Sequence, residues 1–208
     1  MATETKNRTE TAEDIKTPVW TAPLRFHTGG IIKFRGAMES GKTRAMIATL
    51  YELVNKQGFP PDRVYANCWL ALRGSHWLRN DELRKVLRRA FNTETGGGRW
   101  NKCIFMIMEA DDLYSHITQS DKECFFDIRK ASQAYKRNQY LLYEVHEGAG
   151  VPKYMRDKTE ISIKPFPNEY LDRLDLLVCD GHYDKTYMLP VTGISSVNKL
   201  YRRFDELH

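Results

Sequence analysis

What this chain has little of narrows it first. No apolar run approaches the ~20 residues that a membrane-crossing helix needs, so no membrane-spanning segment is expected. Met1 to Lys16 is polar and mixed in charge, without the apolar core of a signal peptide, and a disordered N-terminal arm is expected over residues 1–18. The four cysteines, Cys68, Cys103, Cys124 and Cys179, are widely spaced. They form no CxxC pair and have no histidine at ligand spacing, which argues against a zinc site or a disulfide framework and for buried thiols. Charge of one sign is not in large excess either, with a net +5 over 208 residues. An apolar share of 41% and a charged share of 28% are those of an ordinary globular chain. That length suits one domain, expected over 19–208 with a core over 31–158 and a β-rich tail over 159–208.

Against these absences stands one specific pattern. Gly36-Ala37-Met38-Glu39-Ser40-Gly41-Lys42-Thr43 matches GxxxxGK[ST] in full and follows the apolar run Gly30-Ile31-Ile32-Lys33-Phe34. A glycine-bounded turn at a strand end aims successive backbone N–H groups at phosphate oxygens, and the helix that follows adds its positive N-terminus. Lys42 is expected to reach the β and γ phosphates of ATP, and the Thr43 hydroxyl to ligate Mg²⁺. The context fits, because Ala45, Met46, Ile47, Ala48, Leu50, Tyr51, Leu53 and Val54 continue as a helix with no breaker before Gly58. Glu39 is unexpected beside phosphates and is placed pointing outward, toward solvent or a neighbour's arginine.

The positive charge is unevenly spread, since residues 73–102 alone carry a net +5. Within them Leu83, Val86, Leu87, Ala90 and Phe91 define the apolar stripe of a helix whose Arg84, Lys85, Arg88 and Arg89 face mainly away from it. This is either a solvated face or a surface for DNA phosphates. Strands are expected at 63–70, 103–108 and 139–146, and a helix opens at the capping pair Ser120 and Glu123. Short strands at 161–163, 174–179 and 187–191 follow, the last two joined as a hairpin. Strands alternating with helices predict an α/β fold with a mostly parallel central sheet and a short C-terminal β-rich extension. In such sheets ligands bind at the carboxyl ends of the strands, where the phosphate loop, Glu109 and His146 all fall.

Hydrolysis needs Mg²⁺ placement, a group that acts on water, and positive charge at the γ phosphate. Glu109, at the end of Cys103–Met108, is the candidate for polarising water. Met108 stands where an aspartate for the metal shell is usual. Either Glu109 covers both tasks, or Asp111 or Asp112 bends back toward Mg²⁺, or the ion relies on Thr43 and waters. His146 is a candidate sensor of the γ phosphate. A transition-state arginine is commonly supplied by a neighbouring subunit, and Arg129, Arg137 and Arg156 are the candidates.

Taken together, the phosphate loop, the strand ending Met106-Ile107-Met108-Glu109-Ala110-Asp111-Asp112-Leu113, and Tyr140 to His146 followed by Val151-Pro152-Lys153-Tyr154-Met155-Arg156 resemble the viral genome-packaging ATPases. These are P-loop NTPases of the ASCE type, relatives of the FtsK and HerA translocases. The resemblance covers about Ile31 to Lys158 and is similar in compactness to the packaging ATPases of tailless icosahedral viruses with an internal membrane. It implies ATP and Mg²⁺ as cofactors and a homo-oligomeric ring, pentamer or hexamer, that drives double-stranded DNA into a preformed capsid. The implied partners include capsid-vertex or portal-like viral proteins, and the implied location is host cytoplasm and the packaging vertex of the virion. Met108 and His146 depart from the family pattern, where an acid and a Gln or Asn are more usual. The alternatives are a nucleotide-gated DNA-binding or assembly module with little hydrolysis, and a P-loop nucleotide kinase.

Overall fold

The computed structural model describes residues 18–20, 29–91, 98–113, 138–147, 153–181 and 184–202. The expected N-terminal arm up to residue 17, the helix opening at Ser120, Cys124, Arg129 and Arg137 lie outside them. In chain order the elements are β1 (Val19–Trp20), β2 (Gly30–Gly36), α1 (Lys42–Gln57), β3 (Val64–Ala66), β4 (Trp69–Leu70), β5 (His76–Trp77), α2 (Asn80–Phe91), β6 (Ile104–Ile107), α3 (Ala110–Leu113), β7 (Tyr140–His146), α4 (Lys153–Lys158), β8 (Ile161–Asn168), β9 (Arg173–Asp180), β10 (Lys185–Thr192) and β11 (Tyr201–Arg202).

Among the described residues, nine strands form one sheet in the order β1-β10-β9-β8-β2-β7-β6-β3-β5. From β8 to β5 every pairing is parallel, and the remaining strands join antiparallel. The strand that carries the phosphate pattern is therefore central, flanked by β7 and β8. β6 and β7 are buried on both faces and read as largely apolar runs, whereas β2 alternates after Ile32, with Lys33 and Arg35 half-buried.

Alternation decides which residues meet α1. Ile32, Phe34, Ile104, Met106, Met108, Tyr140, Leu142, Ile161 and Ile163 share one core with Ala45, Met46, Ile47, Leu50 and Leu53 of α1. Ile31, Phe105, Ile107, Leu141, Tyr143 and Val145 face the other way and pack with Leu83, Leu87, Ala90 and Phe91 of α2. The expected stripe on α2 is thus the buried one, with Val86 partly buried beside it. Helix α1 runs to Gln57, and Gly58 ends it with φ 68°, its N–H bonded to the Leu53 carbonyl.

Three sequence expectations are corrected in detail. The strand expected at 63–70 breaks after Ala66, and Trp69–Leu70 pairs instead with β11 in a separate two-stranded sheet. The break occurs because the Asn67 side chain turns to the end of β6. Its Oδ1 accepts from Met108 N (2.7 Å) and its Nδ2 donates to Met108 O (2.9 Å) and to Asn80 Oδ1 (3.0 Å). The tail strands are longer than expected, eight residues each, and β8 continues through Pro165 and Pro167 into a hairpin with β9. A short strand the sequence did not announce, β1, pairs with β10, and its Trp20 Nε1 donates to Ala48 O of α1 (3.1 Å).

Cys68 and Cys103 are buried and Cys179 is half-buried, none in a disulfide. Burial pushes the Cys103 thiol up to about 12, so it stays protonated and unreactive at neutral pH.

Candidate functional site

The phosphate loop leaves the carboxyl end of β2 through two glycines that each meet a steric demand. A Cβ on Gly36 would run into Ser40 Oγ, where the loop folds back on itself. Gly41 has φ 85°, and a Cβ there would lie 2.9 Å from Leu174 Cδ2. Leu174 is 1% exposed, so shifting its methyl means repacking a buried side chain. Gly41→Ala should therefore destabilise the fold by ~1–3 kcal/mol through combined αL strain and overpacking. A denaturant midpoint equal to wild type would show that the loop relaxes at no cost.

Helix α1 begins at Lys42 with Gly41 as its N-cap, no capping side chain and no acid in the first turn. Its first N–H groups and positive dipole end are thereby left to an external anion. Lys42 is buried, and its Nζ donates across the loop to Ala37 O at 2.7 Å. Glu39 sits at φ 59° and is exposed. Thr43 Oγ1 lies 2.7 Å from Oε2 of Glu144, a residue of β7 that is 2% exposed. Glu144 is the site residue that sequence reasoning missed.

The two neighbouring strands bring the other candidates to the same edge. Register pairs Gly36 of β2 with His146 of β7, and Glu147 N donates to Gly36 O at 3.0 Å. The imidazole Nδ1 of His146 is 3.3 Å from Asp111 Oδ2, a contact between β7 and α3. Asp111 thus faces His146, and Asp112 is exposed on α3. Glu109 is half-buried with φ 53°, and its carbonyl accepts from Asp112 N (3.0 Å) and Leu113 N (3.2 Å), turning the chain from β6 into α3. A non-glycine residue in that region is strained and marks a position held by its surroundings.

Arg156 is exposed on α4, and its charge is felt at Lys33, whose ammonium burial pushes below the usual lysine range with help from Arg35 and Arg156. On α2, Lys85 and Arg89 are exposed while Arg84 and Arg88 are half-buried, and Lys85 lies 3.5 Å from Asp81 in a solvent-exposed pair of little energetic weight. Beside α1, a cavity of about 250 Å³ opens at the same sheet edge, lined by Arg44, Asn168, Asp172, Arg173, Leu174 and Asn198 among others. Arg44 Nε donates to Asn198 Oδ1 at 3.1 Å on its wall.

Among the described residues no group of three or more His, Cys, Asp or Glu gathers to hold a metal ion. A nucleotide-bound Mg²⁺ takes one or two protein ligands, with substrate phosphates and waters completing the shell. Thr43, its hydroxyl already oriented by a carboxylate, is the residue present that suits it.

Neither a protein-family model nor a curated protein matches this chain. Solved structures do. The N-terminal domain of zonular occludens toxin from Neisseria meningitidis is 12% identical, with 84% of this chain and 99% of that chain covered and a TM-score of 0.52. The genome packaging NTPase B204 from Sulfolobus turreted icosahedral virus 2 is 11% identical in two complexes. With ATP-gammaS the match covers 78% of this chain and 97% of that one at a TM-score of 0.56. With AMPPCP the coverage is the same and the TM-score is 0.54. At such identities the likeness concerns the fold alone, an α/β fold with a mostly parallel central sheet.

Proposed function

We propose that this chain is an ATPase that couples hydrolysis of Mg²⁺-bound ATP to movement of double-stranded DNA, as a homo-oligomeric ring of the viral packaging type. The observation that carries it is the convergence of three adjacent strand ends. The phosphate loop leaves β2, His146 ends β7 and Glu109 follows β6 on one sheet edge, which is the minimum set for binding and hydrolysing a triphosphate. The structural likeness to an NTPase described as genome-packaging and held with ATP-gammaS supports the same class.

The residues then divide the work. Loop N–H groups and Lys42 bind the β and γ phosphates, and the nucleoside end extends over the cavity beside Arg44 and Leu174. When bound at Thr43, Mg²⁺ would neutralise phosphate charge. Glu109 takes a proton from the attacking water, and His146, held by Asp111, donates to or accepts from the γ-phosphate region. The arginine acting in trans comes from Arg129, Arg137 or Arg156. The ring works with capsid-vertex or portal-like viral proteins, in host cytoplasm and at the packaging vertex of the virion.

Phosphate release from ATP, with no acceptor present and with and without double-stranded DNA, tests this reading. Release stimulated by DNA is the expected result. Transfer only to a nucleotide acceptor would make the chain a kinase. One observation, Met108 in place of an acid, favours a second reading as a nucleotide-gated DNA-binding module, and nucleotide binding with no turnover under either condition would select it.

The DNA surface is proposed on α2. Replacing Arg84, Arg88 and Arg89 together by Ala should reduce the slope of log affinity against log salt by about 2 to 3, at ~0.9 for each phosphate no longer neutralised. Filter binding across a salt series reads it, and an unchanged slope returns α2 to a solvated face.

A further inference from the structure

We propose that Glu144 on β7 supplies the metal-shell carboxylate that β6 lacks, by fixing the Thr43 hydroxyl for a divalent cation bound with the nucleotide. The inference rests on the phosphate loop being a nucleotide site.

Thr43 has one hydroxyl proton, and the 2.7 Å contact with Glu144 Oε2 directs it to the carboxylate. The lone pairs of Oγ1 are thereby left for a cation on the other side. The negative charge behind the hydroxyl strengthens it as a ligand, as outer-sphere carboxylates do for other metal ligands. Glu144 is 2% exposed in a strand otherwise made mainly of Tyr140, Leu141, Leu142, Tyr143 and Val145. A carboxylate so placed is held by its partners, the Thr43 hydroxyl among them.

Geometry explains why it stands there and not on β6. Leu142 faces α1, so Glu144, two residues on, shares that face. Ile107 pairs with Tyr143, which puts Met108 one step on beside Glu144, also facing α1. The two positions are neighbouring seats on one face, and β7 is the nearer to β2 and its phosphate loop. Met108 is 6% exposed, packed in the α1 core, and its backbone is clamped by Asn67, so the β6 seat is filled by an apolar side chain. Of the other acids at that strand end, Asp111 faces His146, Asp112 is exposed on α3 and Glu109 is half-buried at the turn into α3. Glu144 is a positioning residue on this account, acting through Thr43.

The test is the affinity of the full chain for a fluorescent ATP analogue in excess EDTA and in excess Mg²⁺, in wild type, Glu144→Gln and the double variant Met108→Asp/Glu144→Gln. Glu144→Gln should leave EDTA affinity unchanged and lose about 10- to 100-fold of the Mg²⁺-dependent gain. The double variant, with its carboxylate moved to the β6 seat, should recover most of it. If circular dichroism shows Glu144→Gln unfolded, Glu144→Asp keeps the charge but withdraws it by one methylene, and should lose the gain by roughly tenfold. A gain retained in the folded single variants, or absent in wild type, overturns the role of Glu144 while leaving the phosphate loop intact. No nucleotide binding by wild type in either condition sinks the nucleotide site itself, and this inference with it.

Discussion

Lys42→Ala should abolish measurable nucleotide binding while leaving the fold in place. The Lys42 ammonium is buried and already held over the loop by Ala37 O at 2.7 Å, so it is pre-positioned and binding a phosphate requires little further ordering. Charge-assisted hydrogen bonds contribute about 1.5–3 kcal/mol each, so removing the bonds to both the β and the γ phosphate should raise Kd roughly 10²- to 10⁴-fold. Stability should change little, because the partner released is a loop carbonyl at the solvent-facing apex, where Ala37, Met38 and Glu39 are all exposed. Isothermal titration calorimetry with ATP reads the first quantity and a thermal melt the second. Binding as tight as wild type would move the triphosphate away from this loop, and a collapsed melt would make Lys42 a structural cation instead.

Legibility of the sequence followed the physics of each segment. The helix α1 was visible because a 3.6-residue apolar period runs without a breaker to Gly58, and the structure ends it there. The central strands β6 and β7 were visible as apolar runs bounded by polar residues, the pattern of strands covered on both faces. What failed depended on neighbours distant in sequence. The run 63–70 looks continuous, and only the approach of Met108 gives Asn67 a reason to leave the sheet. Trp20 needed β10 and Ala48 as partners before it meant anything. The strand expected at 161–163 runs on through Pro165 and Pro167, and β8 pairs with β9 for all eight residues.

The candidate site divided in the same way. The phosphate loop is local in sequence and was complete in its eight residues. Glu109 and His146 were placed by the rule that chemistry gathers at carboxyl strand ends. Glu144 was not found, although a carboxylate within an apolar strand is a signal by itself, since a buried carboxylate requires partners. Reading that signal needed the sheet order, because only the adjacency of β7 to β2 brings Glu144 within reach of Thr43.

Glu109→Gln should separate hydrolysis from binding, with kcat falling about 10²- to 10⁴-fold, the range that a positioned general base contributes. Glutamine matches glutamate in size and leaves the backbone unchanged, so the φ of 53° and the carbonyl bonds to Asp112 N and Leu113 N are kept and α3 should start as before. Removing a negative charge near the γ phosphate should leave ATP affinity equal or slightly raised. The pattern contrasts with that expected of Glu144→Gln, which alters the Mg²⁺-dependent part of affinity. Side-by-side measurement of phosphate release and nucleotide binding in both variants therefore assigns the two carboxylates to different tasks. Full turnover in Glu109→Gln would remove water activation from the end of β6. An equal loss of turnover and affinity would instead mean that Glu109 serves the turn into α3, and the strained φ would be a structural feature of that turn alone.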